Sequence, residues 1–205
     1  MDDRQSSPAA LRNRQPIAQV LKEYLPPQGT ILEIASGTGE HALYLAEQFP
    51  NHPWLPTDIN PAALASIAAW RCQQKPLANL YAPIFLDVES CPWPVELTPP
   101  PQPITVIVAI NLIHISPWSA SRALLAGADR LLSQGGILYL YGPYRLLGQE
   151  LEPSNEAFDR SLQQRNPAWG LRVLEEVLQE ARSCGLELRE IVPMPANNLS
   201  VILGK

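Results

Sequence analysis

The chain has 205 residues, 46% of them apolar and 17% charged, with 15 basic against 20 acidic side chains and a net charge of −5. That length and apolar content suit one domain, 1–205, with a real core, and exclude a mainly disordered chain. The basic residues are scattered rather than gathered in a stripe, which argues against nonspecific nucleic-acid binding.

The longest apolar run, 104–110, is too short to span a bilayer, and residues 1–7 lack the apolar stretch of a secretory signal. A soluble, cytoplasmic protein is expected, without membrane association. Its three cysteines, Cys72, Cys91 and Cys184, form no C-x-x-C, and its three histidines have no metal-ligand spacing, so neither a disulfide framework nor a metal site is expected.

A leading helix over 7–25 puts Ile17, Val20, Leu21 and Tyr24 on one side and ends at Pro26-Pro27. The run 30–34 reads as a buried strand, Ser36-Gly37-Thr38-Gly39 as a turn, and Ala42, Leu45, Ala46 and Phe49 as a helix face. The alternation repeats: strand 53–57, turn 58–61 with Asn60 as N-cap, and a helix through Leu64 and Ile67. Strands at 84–86, 104–110 and 137–141 follow, with a helix at 118–132 before the last of them. A long helix marked by Leu171, Leu174, Val177 and Ala181 precedes two closing strands, 186–192 and 199–203. Two stretches break the pattern. Six of the 22 prolines lie in 92–103, so a stiff loop without a regular helix is expected there. Segment 142–170 suits a cap over the carboxyl ends of the strands, where open α/β sheets bind ligands. The expected fold is α/β, doubly wound, with a mainly parallel seven-stranded sheet and a C-terminal antiparallel hairpin.

The most informative motif is Glu33-Ile34-Ala35-Ser36-Gly37-Thr38-Gly39-Glu40-His41-Ala42, running from strand end to helix start. Gly37, Gly39 and Ala42 satisfy G-x-G-x-x-G/A, and Asp58 follows Gly37 by 21 positions, where a ribose-binding acid belongs. Alone, this suits a nicotinamide dinucleotide or S-adenosylmethionine (SAM). Glu33 and Glu40 would repel a pyrophosphate and attract a sulfonium or an ammonium. Asp87, at the end of the third strand beside Val88, can accept from an adenine amino group. Each acid taken singly also reads as a loop acid or helix cap; the set of Glu33, Asp58 and Asp87 with the two glycines favours SAM.

This motif resembles motif I of class I SAM-dependent methyltransferases. More specifically, segments 12–17, 32–41, 86–88, 110–118, 140–144, 153–159, 165–170 and 194–198 resemble the methyltransferase-like 26 family. The resemblance implies a Rossmann-like methyltransferase fold and SAM as cofactor, and no particular acceptor. It implies that Gly37 and Gly39 pass close to the methionine part and that Glu33 lies near its ammonium or anchors the loop. It gives the ribose hydroxyls to Asp58 and the adenine to Asp87 and Val88. Ala35 and His41 of the same loop join the cofactor-binding set, with Asn111 and Arg14. The chain departs from the family in its proline-rich loop after Val88.

Methyl transfer needs an acceptor held in line with the sulfonium and, for some acceptors, a base. The candidates follow the fourth and fifth strands: Asn111, His114 as general base, and Tyr144. Arg145, Asn155, Asn197 and Asn198, with Tyr144 and Asn111, are candidate substrate contacts. Each has a plainer reading: His114 satisfying a buried carbonyl, Tyr144 at a core edge, Asn111, Asn197 and Asn198 as turn residues. The expected function is a SAM-dependent methyltransferase acting on a small molecule. A non-catalytic SAM-binding or partner-binding module is the alternative. An NAD-dependent oxidoreductase fits less well, since the lysines (Lys22, Lys75 and Lys205) form no Tyr-x-x-x-Lys pair.

Overall fold

Strand and helix alternate along the chain as the apolar spacing dictates. The structure, a computed structural model, describes residues 3–72 and 77–205. Among these, one sheet contains β1 (Thr30–Ile34), β2 (Trp54–Asp58), β3 (Ile84–Phe85), β4 (Ile104–Ile110), β5 (Ile137–Gly142), β6 (Glu187–Met194) and β7 (Asn198–Gly204). Its order is β3-β2-β1-β4-β5-β7-β6. Neighbours from β3 to β5 are parallel, whereas β7 runs antiparallel to both β5 and β6. This is the doubly wound sheet with a closing hairpin that the sequence predicts. β1 and β4 are adjacent where the winding reverses, so a cleft opens beyond their carboxyl ends.

Helices α1 (Pro8–Tyr24), α2 (Glu40–Gln48), α3 (Pro61–Arg71), α4 (Pro94–Leu97), α5 (Trp118–Leu131), α6 (Pro153–Arg165) and α7 (Leu174–Ser183) surround the sheet. Side chains alternate across a strand, so the central strands feed two cores. Ile31, Val106, Val108 and Tyr139 pack with Ile17 and Leu21 of α1 and Leu45 of α2. Leu32, Ile107, Ala109 and Leu138 pack with Leu124 of α5 and Val177 of α7. No helix among the described residues is long and apolar enough to cross a membrane.

Some expectations need correction. The segment expected to be helix-free contains α4, a single turn made possible because Pro94 opens it, where a missing N–H costs nothing. The Trp93 backbone N–H donates to Glu96 Oε2 at 2.6 Å, and the Trp93 indole, fully buried, donates to the Val88 carbonyl at 3.0 Å. β2 runs on through Asp58, and α7 starts at Leu174 rather than Leu171. The cap segment contains α6, anchored by Asp159. That carboxylate is 2% exposed and accepts from Arg145 at 2.6 Å, from Gln163 at 3.0 Å and from the Leu171 N–H at 2.7 Å.

Candidate functional site

The loop from β1 to α2 forms the floor of the cleft. Ala35 and Gly37 both take a left-handed backbone, with φ of 55° and 57°. A Cβ built on Gly37 meets nothing within 4 Å, so the loop presents open backbone there. The Gly37 N–H donates to Asp58 Oδ2 at 2.9 Å, and Asn60 N–H donates to Asp58 Oδ1 at 2.8 Å. Asp58 therefore braces the loop from the end of β2. Glu40 at the start of α2 accepts from the Ser7 N–H, and from Thr38 Oγ1 at 3.3 Å, tying α1 to the loop.

Glu33 is 1% exposed, and its Oε2 accepts from the Trp54 indole at 2.8 Å. Burial lifts its carboxyl to about 7, against the pull of the Trp54 and Ser36 hydrogen bonds, and the nearby Asp58 charge adds to the rise. His41 donates from Nε2 to Asn13 Oδ1 at 2.7 Å; burial and the Arg14 charge hold its ring at about 4, hence neutral.

Three cavities adjoin along the carboxyl ends of the strands. The first, about 250 Å³, lies between Asp87, Val88 and the apolar side chains of Ile34, Ile59, Leu112 and Trp169. The second, about 210 Å³, is walled by Glu33, Gly37, Thr38, His41 and Asn111, and shares Ala35 and Ile115 with the first. The third, about 700 Å³, shares Ser7, Ala9, Asn111 and Ile115 with the second. Its walls include Arg12, His114, Tyr141, Asn155, Phe158 and Arg165. A separate hollow of about 450 Å³ lies at the opposite end of the sheet, beside Thr105, Gly135 and Ile137, away from all the candidate residues.

Asn111 lies where the second and third cavities meet. Its φ of 62° is left-handed, which asparagine tolerates better than most residues, and its N–H donates to the Tyr141 carbonyl at 2.8 Å. His114 is 3% exposed and meets the Phe158 ring edge-on at 5.6 Å. Neither of its ring nitrogens has a hydrogen-bond partner among the described residues. Burial, reinforced by the Arg172 and Arg165 charges, lowers its pKa to about 4. Gly142 makes room for that ring: a Cβ there would stand 3.0 Å from His114 Nδ1.

Asp87 Oδ1 accepts from the Glu89 N–H at 2.9 Å. Asn155 donates to the Asn197 carbonyl at 3.2 Å, so α6 is pinned to the turn between β6 and β7, and Asn198 lines the third cavity while donating to the Pro195 carbonyl at 2.9 Å.

Six expected residues stand outside the cavity walls. Asp58, expected at the ribose hydroxyls, uses both carboxylate oxygens to accept from the Gly37 and Asn60 N–H groups. The Tyr144 hydroxyl is buried in the core without a hydrogen-bond partner among the described residues, and burial raises its pKa strongly, so this ring is packing and not a substrate contact. Arg145 is committed to Asp159. Arg14 stacks on Tyr44 at 4.6 Å. Gly39, at φ 88°, is needed for close packing: its Cβ would fall 2.9 Å from the Ile67 Cα. Asn197 sits in a left-handed turn and contributes its carbonyl to Asn155. The sequence reading in turn missed Trp54 as the partner of Glu33, and Ile59 and Ile115 as exposed apolar wall residues. Ile59 carried a signal, since it is an aliphatic residue between turn residues Asp58 and Asn60.

A family model described as "Protein of unknown function (DUF938)" matches residues 4–205. The chain belongs to the DUF938 family. Among solved structures, this DUF938 chain resembles an O-methyltransferase family 2 protein from Planctomyces limnophilus in complex with apigenin. The TM-score is 0.77 at 18% identity, over 96% of this chain and 60% of that one. It also resembles the mitomycin 7-O-methyltransferase MmcR, with TM-score 0.78 at 13% identity, over 96% and 54%. A third likeness is to CalO1, a methyltransferase in calicheamicin biosynthesis in its SAH-bound form, with TM-score 0.74 at 15% identity, over 96% and 54%. The DUF938 chain thus has the Rossmann-like fold of SAM-dependent O-methyltransferases, and it spans a little over half the length of these proteins.

Proposed function

We propose that this DUF938 chain binds SAM and transfers its methyl group to a small molecule. The observation that carries the reading is the run of three adjoining cavities beyond β1 and β4, with buried Glu33 beside the open backbone of Gly37 in the middle one. The donor set fits the cofactor. The first cavity offers apolar walls for a purine and Asp87 for its amino group. In the second, a cationic group beside Glu33 would stabilise a carboxylate that burial otherwise penalises. A pyrophosphate there would meet Glu33 instead, which weighs against a dinucleotide. The methyltransferase-like 26 resemblance and a cytoplasmic location belong to the same reading.

SAM, when bound, supplies an electrophilic methyl group on a sulfonium. The chain's own residues then have defined tasks. Glu33, Asp58 and Gly37 fix the loop, and Ile59 and Ile115 exclude water from the cleft. Asn111 orients the acceptor where the second and third cavities meet. His114, neutral at physiological pH, accepts the proton that an acceptor hydroxyl releases. The test is transfer of labelled methyl from SAM to a panel of small hydroxylated and amine acceptors, with S-adenosylhomocysteine (SAH) release followed in parallel. Acceptor-dependent SAH release is expected. SAH binding with no turnover on any acceptor would favour the non-catalytic alternative.

A further inference from the structure

The third cavity is electropositive in an acidic chain. Its wall carries Arg12 and Arg165 and, among the described residues, no aspartate or glutamate, although the net charge is −5. Elsewhere Arg122, Arg130, Arg145, Arg160 and Arg182 each lie within 4 Å of a carboxylate. Arg12 and Arg165 have no carboxylate partner among the described residues. The Arg165 guanidinium lies over the Trp169 ring, 5.5 Å from its centroid, and its N–H groups make no hydrogen bond among the described residues. His114, 3% exposed with an unpartnered ring, lines the same space. Ser154 and Asn155, in the first turn of α6, do so as well, and that helix start has no side-chain cap.

The remaining wall is apolar. Ile115 and Phe158 are 39% and 37% exposed, and both line the cavity. A bare inorganic anion would leave them wet, whereas a planar body would cover them. About 700 Å³ lies within the usual range for small-molecule sites and is roomy enough for one or two rings.

We propose that the third cavity takes a small planar carboxylic acid, its carboxylate held by Arg12 and Arg165 and its ring against Phe158 and Tyr141. This names the acceptor class and rests on the methyl-transfer reading, with Asn111 joining the acid's pocket to the second cavity.

The test is calorimetric titration of the full chain, with and without saturating SAH, using para-hydroxybenzoate and hydroxynaphthoate and their primary amides as probes. The acids bind, the amides bind at least about tenfold more weakly, and added salt weakens only the acids. Arg12→Gln and Arg165→Gln each weaken acid binding by about tenfold or more and leave amide binding unchanged. Arg160→Gln, on the same helix but paired with Glu156 outside the cavity, changes neither. The proposal is overturned if neither acid binds, if amides bind as tightly as acids, or if the double Arg12→Gln/Arg165→Gln variant binds acids like the parent. Acid binding by a chain that fails to bind SAH supports this pocket and refutes the cofactor reading alone.

Discussion

Replacing Glu33 by glutamine should stabilise the ligand-free protein at alkaline pH and abolish its response to SAH. The Glu33 carboxyl is lifted from 4.5 to about 7 by burial. The folded chain thus holds this proton more tightly than the unfolded chain. The stability it contributes is present below pH 4.5 and is lost as pH rises through about 7. Full ionisation costs the folded state about 3 kcal/mol. Glutamine keeps an oxygen to accept from the Trp54 indole and never ionises. His41 and His114 act in the opposite sense: held at about 4 rather than 6.5, they contribute stability present above 6.5 and lost as pH falls through 4. The difference between Glu33→Gln and the parent isolates the carboxyl from these two rings. At pH 4 and below the two proteins should unfold together. Above about pH 8 the variant should melt roughly 6–12 °C higher, taking 2–4 °C per kcal/mol for a chain of this size. Circular-dichroism melts across that range read the difference. Parallel curves, or a variant less stable at alkaline pH, would refute the assignment of Glu33 as a buried acid held ready for a cation.

Gly127→Ala should destabilise the protein by about 1–3 kcal/mol in urea melts despite alanine's better helix propensity, because its Cβ would fall 2.1 Å from Cζ2 of buried Trp93. Asp159→Ala should cost about 2–4 kcal/mol and raise amide exchange across α6 first, since it strands Arg145 and the Leu171 N–H together. If methyl transfer to a hydroxyl uses His114, the rate should stay level through neutral pH and fall as pH drops through about 4, where the ring protonates. His114→Ala should lower that rate by roughly 10²–10⁴-fold with SAH affinity unchanged, as read in initial-rate and binding measurements.

The sheet was legible because its strands are apolar on both faces, as in Ile104–Ile110, and its helices repeat apolar residues at helical spacing. The loop from β1 to α2 was legible because Gly37 needs an open, left-handed backbone and acids recur at the ends of β1 and β2 and beyond β3. What the sequence hid were pairings across the fold. Nothing local marks Trp54 as the donor to Glu33, or Asp159 as the partner that withdraws Arg145 from the cavity. Tyr144 was misleading for the same reason: a tyrosine just past a strand reads as a cleft residue until its hydroxyl is found in the core. The one-turn helix α4 escaped notice because proline density argues against helices in general but not against a turn that proline itself opens.

The most direct test of the central claim is calorimetric titration of the ligand-free chain with SAH, with NAD as the parallel ligand and Glu33→Gln as the matched variant. The account predicts one saturable SAH site, no NAD binding, and loss of the SAH signal in the variant. Tight NAD binding, or SAH binding that is indifferent to Glu33, would contradict it.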